Sequence, residues 1–317
     1  MRHVVRCALW SAHSVLFHHR KVTNDPSIKW SLETCQTLHR TFFSGSSEKR
    51  HSSKGGILFG TTAVTDYAKY GPPYGRDIFK TIIDFCNEKA CRFVLAVDVG
   101  CGSGRSTVPL AAHFDKVIGV DINPKRIAEA PTDVPNVSFR VGPGEDLSFL
   151  EDGSVDLVTA AHSMHRMDVD ALYPEVQRVL IPGGSFVSYG YGLVRSDEEV
   201  VQKVFDHFYN EILGSFWFGG REEILELYRG FNLPFPGWRR DDSLQAERTW
   251  SVDHVIGYLL TSPEWQKYLA RNPESNAMED IRKMLRQVYR SGEPTDAERL
   301  VKVRWPVYML MGHKPLN

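Results

Sequence analysis

The sequence predicts an α/β protein with a doubly wound sheet, interrupted by a mostly helical insertion and closed by a last strand. Three observations predict it. Short apolar strands alternate with helical runs between Ile78 and Tyr191, the pattern of a parallel sheet covered on both faces. Gly100, Gly102 and Gly104 cluster where the first strand gives way to a helix. After Tyr191 the chain turns helical and aromatic until an alternating segment over 298–313 ends it.

Taken in order, Ile78–Phe85 reads as a helix and Phe93–Val99 as the first strand, with a helix running from the glycines through Phe114. Lys116–Val120 is the second strand and Pro124–Ala130 a helix. Val137–Val141 and Val155–Ala161 are two more strands, the latter entered by a turn at Glu151-Asp152-Gly153-Ser154. Val169–Leu180 is a helix closed by Pro182-Gly183-Gly184, and Ser185–Tyr191 is the fifth strand. Five strands in about a hundred residues indicate double winding. Glu198–Leu213, Arg221–Tyr228, Val252–Leu260, Pro263–Leu269 and Met278–Tyr289 are helical patterns. The chain therefore divides into an extension and linker (1–58), a ligand-binding core (59–192), a mostly helical cap over the strand ends (193–297) and a last strand with its tail (298–317).

Composition narrows the class. Among 317 residues, 42% are hydrophobic and 24% charged, as in ordinary soluble globular proteins. No run reaches the 18 or so apolar residues of a membrane span. Five cysteines, odd in number and without CxxC spacing, fit a reducing compartment and no zinc site. The net charge of −1 hides an asymmetry: residues 1–60 carry nine Lys/Arg against three Asp/Glu, leaving 29 against 36 in the rest. The main body thus lacks the electrostatic footprint of a nucleic-acid binder. Residues 1–24 carry no acid, and as a helix they would set Arg2, Arg6, His13 and Arg20 beside an apolar arc. That resembles a mitochondrial transit peptide; the alternative is an extension without an address. The expected compartment is the cytoplasm, with the mitochondrial matrix as alternative.

The informative segment is Val97-Asp98-Val99-Gly100-Cys101-Gly102-Ser103-Gly104. Glycines at a strand-to-helix junction let the backbone bend sharply and approach a ligand, and the following helix N-terminus, near Ser106-Thr107, would offer free N–H groups. A dinucleotide fingerprint needs its third glycine at position 105, which is Arg, and no Gly-Lys-Ser/Thr follows to make a Walker loop. Asp121 ends the second strand, 23 residues beyond Asp98. There a carboxylate can accept both ribose hydroxyls, or it can cap the helix that starts near Pro124.

The Asp-x-Gly-x-Gly-x-Gly spacing is similar to the first motif of the class I S-adenosylmethionine-dependent methyltransferases. Further stretches carry the same resemblance. Gly142-Pro143-Gly144-Glu145-Asp146-Leu147 looks like the adenine-binding stretch after their third strand, with Gly144 or Glu145 standing in for the polar side chain that Pro143 lacks. Arg178-Val179-Leu180-Ile181-Pro182-Gly183-Gly184 looks like their approach to the fifth strand. At finer grain the chain resembles the yeast-type trans-aconitate methyltransferases and their animal relatives, through Asp66–Tyr74, Thr159–Asp168 and Ser262–Tyr268, although Gly71 replaces an arginine and Arg166-Met167 replaces Trp-Phe. The resemblance implies a Rossmann-like class I methyltransferase fold, mostly parallel with a C-terminal antiparallel strand. It implies S-adenosyl-L-methionine as cofactor, held by Asp98, Gly100, Cys101, Gly102, Gly104, Asp121, Ile122, Gly144, Glu145 and Ala160, and a small-molecule acceptor.

A carboxylate acceptor needs a cation, for which Arg166 and Arg195 are candidates. An amine, phenol or carbon acceptor needs a base, for which His165 and His162 are placed. Tyr189, Tyr191, Phe216, Trp217, Phe218 and Trp265 could wall the acceptor pocket or simply fill the core. No metal is expected. Two readings stand beside methyl transfer: a non-catalytic cofactor-binding protein of the same fold, and an NAD-dependent oxidoreductase, which Arg105 and the lack of a Tyr-x-x-x-Lys pair disfavour.

Overall fold

Eight strands form one sheet in the computed structural model: Leu95–Val99 (β1), Lys116–Asp121 (β2), Val137–Val141 (β3), Val155–Ala161 (β4), Leu180–Tyr191 (β5), Arg239–Asp241 (β6), Gln245–Ser251 (β7) and Leu300–His313 (β8). The structure describes residues 69–316 apart from 73, 90, 218, 219, 289–294 and 296–298. The extension, the linker over 44–56 and the start of Asp66–Tyr74 lie outside the described residues. The helices are Arg76–Asn87 (α1), Pro124–Ala128 (α2), Val169–Val179 (α3), Glu199–Asp206 (α4), Arg221–Leu225 (α5), Val252–Leu260 (α6), Pro263–Arg271 (α7) and Ala277–Gln287 (α8).

The strand order is β3-β2-β1-β4-β5-β8-β6, with β7 also paired to β8. The pairs among β1 to β5 are parallel, and β8 runs antiparallel to β5. The chain winds outward from β1 through β2 to β3, then crosses back to β4 on the other side. That reversal between β1 and β4 is a topological switch point, where open α/β sheets bind ligands at the strands' carboxyl ends. β4 is buried along its whole length, which explains its nearly unbroken apolar run. One face of the sheet packs Ile82, Leu157 and Trp305 into a core shared with α1 and the cap; the other packs Val97, Val158 and Phe186 against Leu172 and Val176 of α3.

The structure corrects three expectations. The segment after the glycines is a series of turns ending in a short 3-10 helix, Val108–Ala112, so no α-helix begins where the glycine loop ends. Pro109 brings no N–H, and Asp98 draws the Ser106 and Thr107 hydroxyls inward. Pro182-Gly183-Gly184 does not end a helix but forms an irregularity inside β5, where the register to β4 shifts between Val155↔Leu180 and Leu157↔Ser185. The insertion is less helical than its composition suggests, since β6 and β7 both pair with the long β8. Within it, the expected helix over Glu198–Leu213 is α4 followed by a wider π-turn, His207–Ile212.

Candidate active site

The loop after β1 passes Gly100, Gly102 and Gly104 with φ of +68°, +58° and +86°, the left-handed region that glycine enters without penalty. Their surroundings differ. A Cβ on Gly100 would lie 2.4 Å from Ser163 Cβ, and one on Gly104 2.6 Å from Phe139. A Cβ on Gly102 would meet only the Arg126 side chain, at 3.6 and 4.0 Å, so the space beside its Cα is open to all but a flexible side chain. Cys101 is buried between them, and burial pushes its thiol well up.

Asp98 anchors this loop from below. It is fully buried; Ser106 and Thr107 donate to its Oδ2 at 2.6 and 2.7 Å, and Thr159 donates to Oδ1 at 2.8 Å. Thr159 reaches it because β1 and β4 register Asp98 opposite Thr159. Burial raises the Asp98 carboxyl above its ordinary range while the three hydroxyls pull it back. Asp121 ends β2, two residues beyond the Gly119 that Asp98 pairs with. The N–H groups of Gly102 and Asn123 donate to its Oδ2 and Oδ1, each at 2.8 Å. A carboxylate has about four acceptor positions, so two remain. The cap of α2 is Asn123, whose side chain accepts from Lys125 N–H, which leaves Asp121 to the loop. Next to it Ile122 is an apolar side chain 71% exposed, and Val141 at the end of β3 is 49% exposed. A diol-accepting carboxylate beside an uncovered apolar surface and an open glycine peptide fits an adenosine-type group. Gly144 is buried near Met167, Glu145 accepts from Asp168 N–H at 2.9 Å, and Ala160 is buried on β4.

The loop after β4 carries the other candidates. His162 has φ +51°, a region where His is better tolerated than most residues, and its N–H donates to Tyr189 O. Its Nδ1 lies 3.4 Å from the Tyr308 hydroxyl. His165 Nδ1 meets the Tyr228 hydroxyl, and its backbone N–H donates to the same oxygen at 3.2 Å. Arg166 Nε donates to His165 Nε2 at 3.2 Å. The imidazoles contact edge to face at 5.4 Å. Burial lowers His162 to about 4; burial, then His162 and Arg166, lowers His165 to about 3. Both rings are therefore neutral at pH 7. Burial also raises Tyr228 to about 12 and Tyr308 well above its usual value.

Tyr74 stacks on Tyr191 at 4.9 Å and meets Tyr189 edge to face. Pro72 O accepts from both Arg105 Nη2 and the Tyr191 hydroxyl; Arg105, which breaks the dinucleotide spacing, thus ties the segment before α1 to the glycine loop. Other candidates lie elsewhere. Arg195 is exposed and bridges Arg304 through its backbone. Trp265 is buried in the cap against Phe208 and Tyr268, Phe216 packs on Tyr268, and Trp217 Nε1 donates to Tyr209 O. Phe218 lies outside the described residues. Among the described residues no group of three or more His, Cys, Asp or Glu is arranged to hold a metal ion.

The sequence reading missed Thr159, Tyr228 and Tyr308. Thr159 was readable only as one more residue of an apolar strand. Tyr308 stood in the alternating last segment, and Tyr228 carried no signal at all.

Comparison with known proteins shows the family. A methyltransferase-domain family matches residues 97–188. A proposed methyltransferase of Dictyostelium discoideum is 31% identical over 255 residues, 78% of this chain and 92% of that protein. A proposed S-adenosylmethionine-dependent methyltransferase of Saccharomyces cerevisiae is 28% identical over 219 residues, 66% of this chain and 70% of that protein. The solved structure of a proposed type II methyltransferase from Anaeromyxobacter dehalogenans is 32% identical, with a TM-score of 0.65, covering 78% of this chain and 99% of that one. These matches set the oxidoreductase reading aside, and the chain belongs to the class I methyltransferases, enzymes whose methyl donor is S-adenosylmethionine.

Proposed function

We propose that the chain methylates a small molecule bearing a carboxylate, with the cofactor held by the loops after β1, β2 and β3 and the acceptor by His162, His165 and Arg166. One observation carries this reading: the switch point brings the two loops into contact. Ser163 donates to Val99 O at 2.9 Å, and its side chain fills the space where Gly100 has no Cβ. The cofactor supplies an electrophilic methyl group on a sulfonium, and the protein's task is alignment. Positioning alone lowers such barriers by up to about 7–11 kcal/mol.

Asp121 suits the ribose hydroxyls, Ile122 the adenine face, and Gly144 with Glu145 its edge. The glycine loop offers its open peptide at Gly102, with Cys101 and Ala160 behind. On the acceptor side Arg166 is the cation. It is exposed, and among the described residues only its Nε has a side-chain partner. The likeness to trans-aconitate methyltransferases supports a carboxylated acceptor. The proposed setting is the cytoplasm, in keeping with the free thiols of Cys86, Cys91 and Cys101.

Incubation of the protein with methyl-labelled S-adenosylmethionine and a deproteinised metabolite extract tests the proposal. Label should pass to an anionic small molecule, and Arg166→Gln should cut the transfer at least tenfold. Label that reaches no small molecule would refute it.

A further inference from the structure

Two guanidinium groups border the glycine loop, and they are committed differently. Arg105 Nη2 donates to Gly71 O at 3.4 Å and to Pro72 O at 2.9 Å, which binds that cation into the segment before α1. Arg126, on α2, extends its side chain to the loop itself. Its Nη1 and Cδ lie 3.6 and 4.0 Å from the position a Cβ would take on Gly102. Arg126 is half-buried, yet its side chain has no hydrogen bond, ion pair or ring contact among the described residues. Asp121, which accepts from the N–H groups of Gly102 and Asn123, forms no ion pair with it. Laying a long side chain beside a glycine costs rotamer freedom, and no polar partner within the chain offsets that cost.

A guanidinium stays charged at any physiological pH, and its forked N–H groups match a carboxylate. The methyl donor brings one such group. Its adenine and ribose are uncharged, its sulfonium and ammonium are positive, and its amino-acid carboxylate is its single anion. The acids that border the loop, Asp98 and Asp121, carry the sign that repels a carboxylate, so a cation is needed to admit it. We infer that Arg126 holds the amino-acid carboxylate of the methyl donor and makes the chain select donors that keep that group. This rests on the cofactor placement proposed above and adds a residue outside every stretch that carries the family resemblance. Asp121 takes the ribose; Arg126 reads the other end of the molecule and leaves the reacting atoms to the acceptor loop.

Decarboxylated S-adenosylmethionine is the discriminating probe, since it keeps the adenosine, the sulfonium and the amine. It carries two positive charges and no anion, so the residue that favours the intact donor opposes the decarboxylated one.

Calorimetry of the full chain with each compound at pH 7, in the absence of an acceptor, tests the inference. The native protein should bind S-adenosylmethionine about tenfold or more tighter than the decarboxylated compound, the worth of a charged hydrogen-bonded pair. Arg126→Gln should weaken the intact donor by that factor and hold or tighten the decarboxylated one, so that the preference collapses. Arg126→Lys should keep part of the preference, as a point charge in place of a fork. Native protein that binds both compounds alike would overturn the inference. So would a preference that Arg126→Gln leaves unchanged, whether it weakens both compounds equally or neither. Asp121→Ala separates this result from the parent reading, because both compounds carry the ribose and should weaken together. If they do not weaken while Arg126→Gln still removes the preference, the ribose assignment falls and the carboxylate contact stands. If they do weaken and the preference ignores Arg126→Gln, the carboxylate contact falls alone.

Discussion

Gly100 and Gly102 share the left-handed backbone region, two residues apart, yet their neighbourhoods predict opposite failures. Alanine at either costs about 1–2 kcal/mol for the φ alone. At 100 the new methyl also overlaps Ser163 and Met167, adding about 1–3 kcal/mol of overpacking. Gly100→Ala should therefore lower Tm by several degrees more than Gly102→Ala, at roughly 2–4 °C per kcal/mol. Gly102→Ala should instead keep its fold and lose at least tenfold in S-adenosylhomocysteine affinity by calorimetry. Equal effects on both readouts would mean that the peptide at 102 does not face the cofactor. Asp121→Ala removes a charged acceptor, and affinity should fall by roughly 1.5–3 kcal/mol; unchanged affinity would remove Asp121 from the ribose site. Asp98, Asp121 and the glycines were legible because their chemistry is local to one strand end. The hydroxyl of Thr159 and the two tyrosines were not, because only strand register brings Thr159 to Asp98, only the return of β8 brings Tyr308 to His162, and Tyr228 reaches His165 from the turn after α5.

The elements divide in the same way. β2, β3, β4 and α6 appear nearly as the periodicity places them, since each is short, strongly patterned and bounded by turn residues. β6 and β7 left almost no signal. Arg239–Asp241 is three charged residues, and along Gln245–Ser251 only Ala246 and Trp250 are apolar, with Arg248 between them on the same face. Their existence depends on β8, whose first half pairs with β7 from Leu300↔Ser251 to Pro306↔Gln245, while β6 joins near Met309–Met311. Trp250 secures that arrangement: its ring meets Trp305 at 4.9 Å, His254 at 4.2 Å and Tyr258 at 5.7 Å. Trp250→Ala should cost about 3–5 kcal/mol, seen as a Tm lowered by roughly 10 °C. A change under about 2 °C would show that the cap's strands are held in some other way.

For the whole molecule, the fold buries the acceptor loop deeply enough to make stability depend on pH in a definite window. An unfolded histidine titrates near 6.5, while in the folded chain burial holds His162 at about 4 and His165 at about 3. Between these limits the unfolded chain binds more protons than the folded one, so stability falls as pH falls from about 6.5 toward 4. His254 and His313 are also lowered, mainly by burial, and add to the same slope. Asp98 acts in the opposite sense. Its carboxyl is raised, chiefly by burial, so its contribution is present below the ordinary aspartate value and lost as pH rises through the folded value. Glu88 and Glu175, lowered mainly by Arg239 and Arg178, lose their contribution only as pH drops below the ordinary carboxylate range. Urea midpoints at pH 7, 6 and 5 should therefore decline in the native sequence. The decline should be shallower in a His162→Asn, His165→Asn double variant, with asparagine well suited to the left-handed backbone at 162. His254 and His313 should keep the slope from vanishing. An identical slope in both proteins would mean that these imidazoles are solvated and that burial does not hold them neutral.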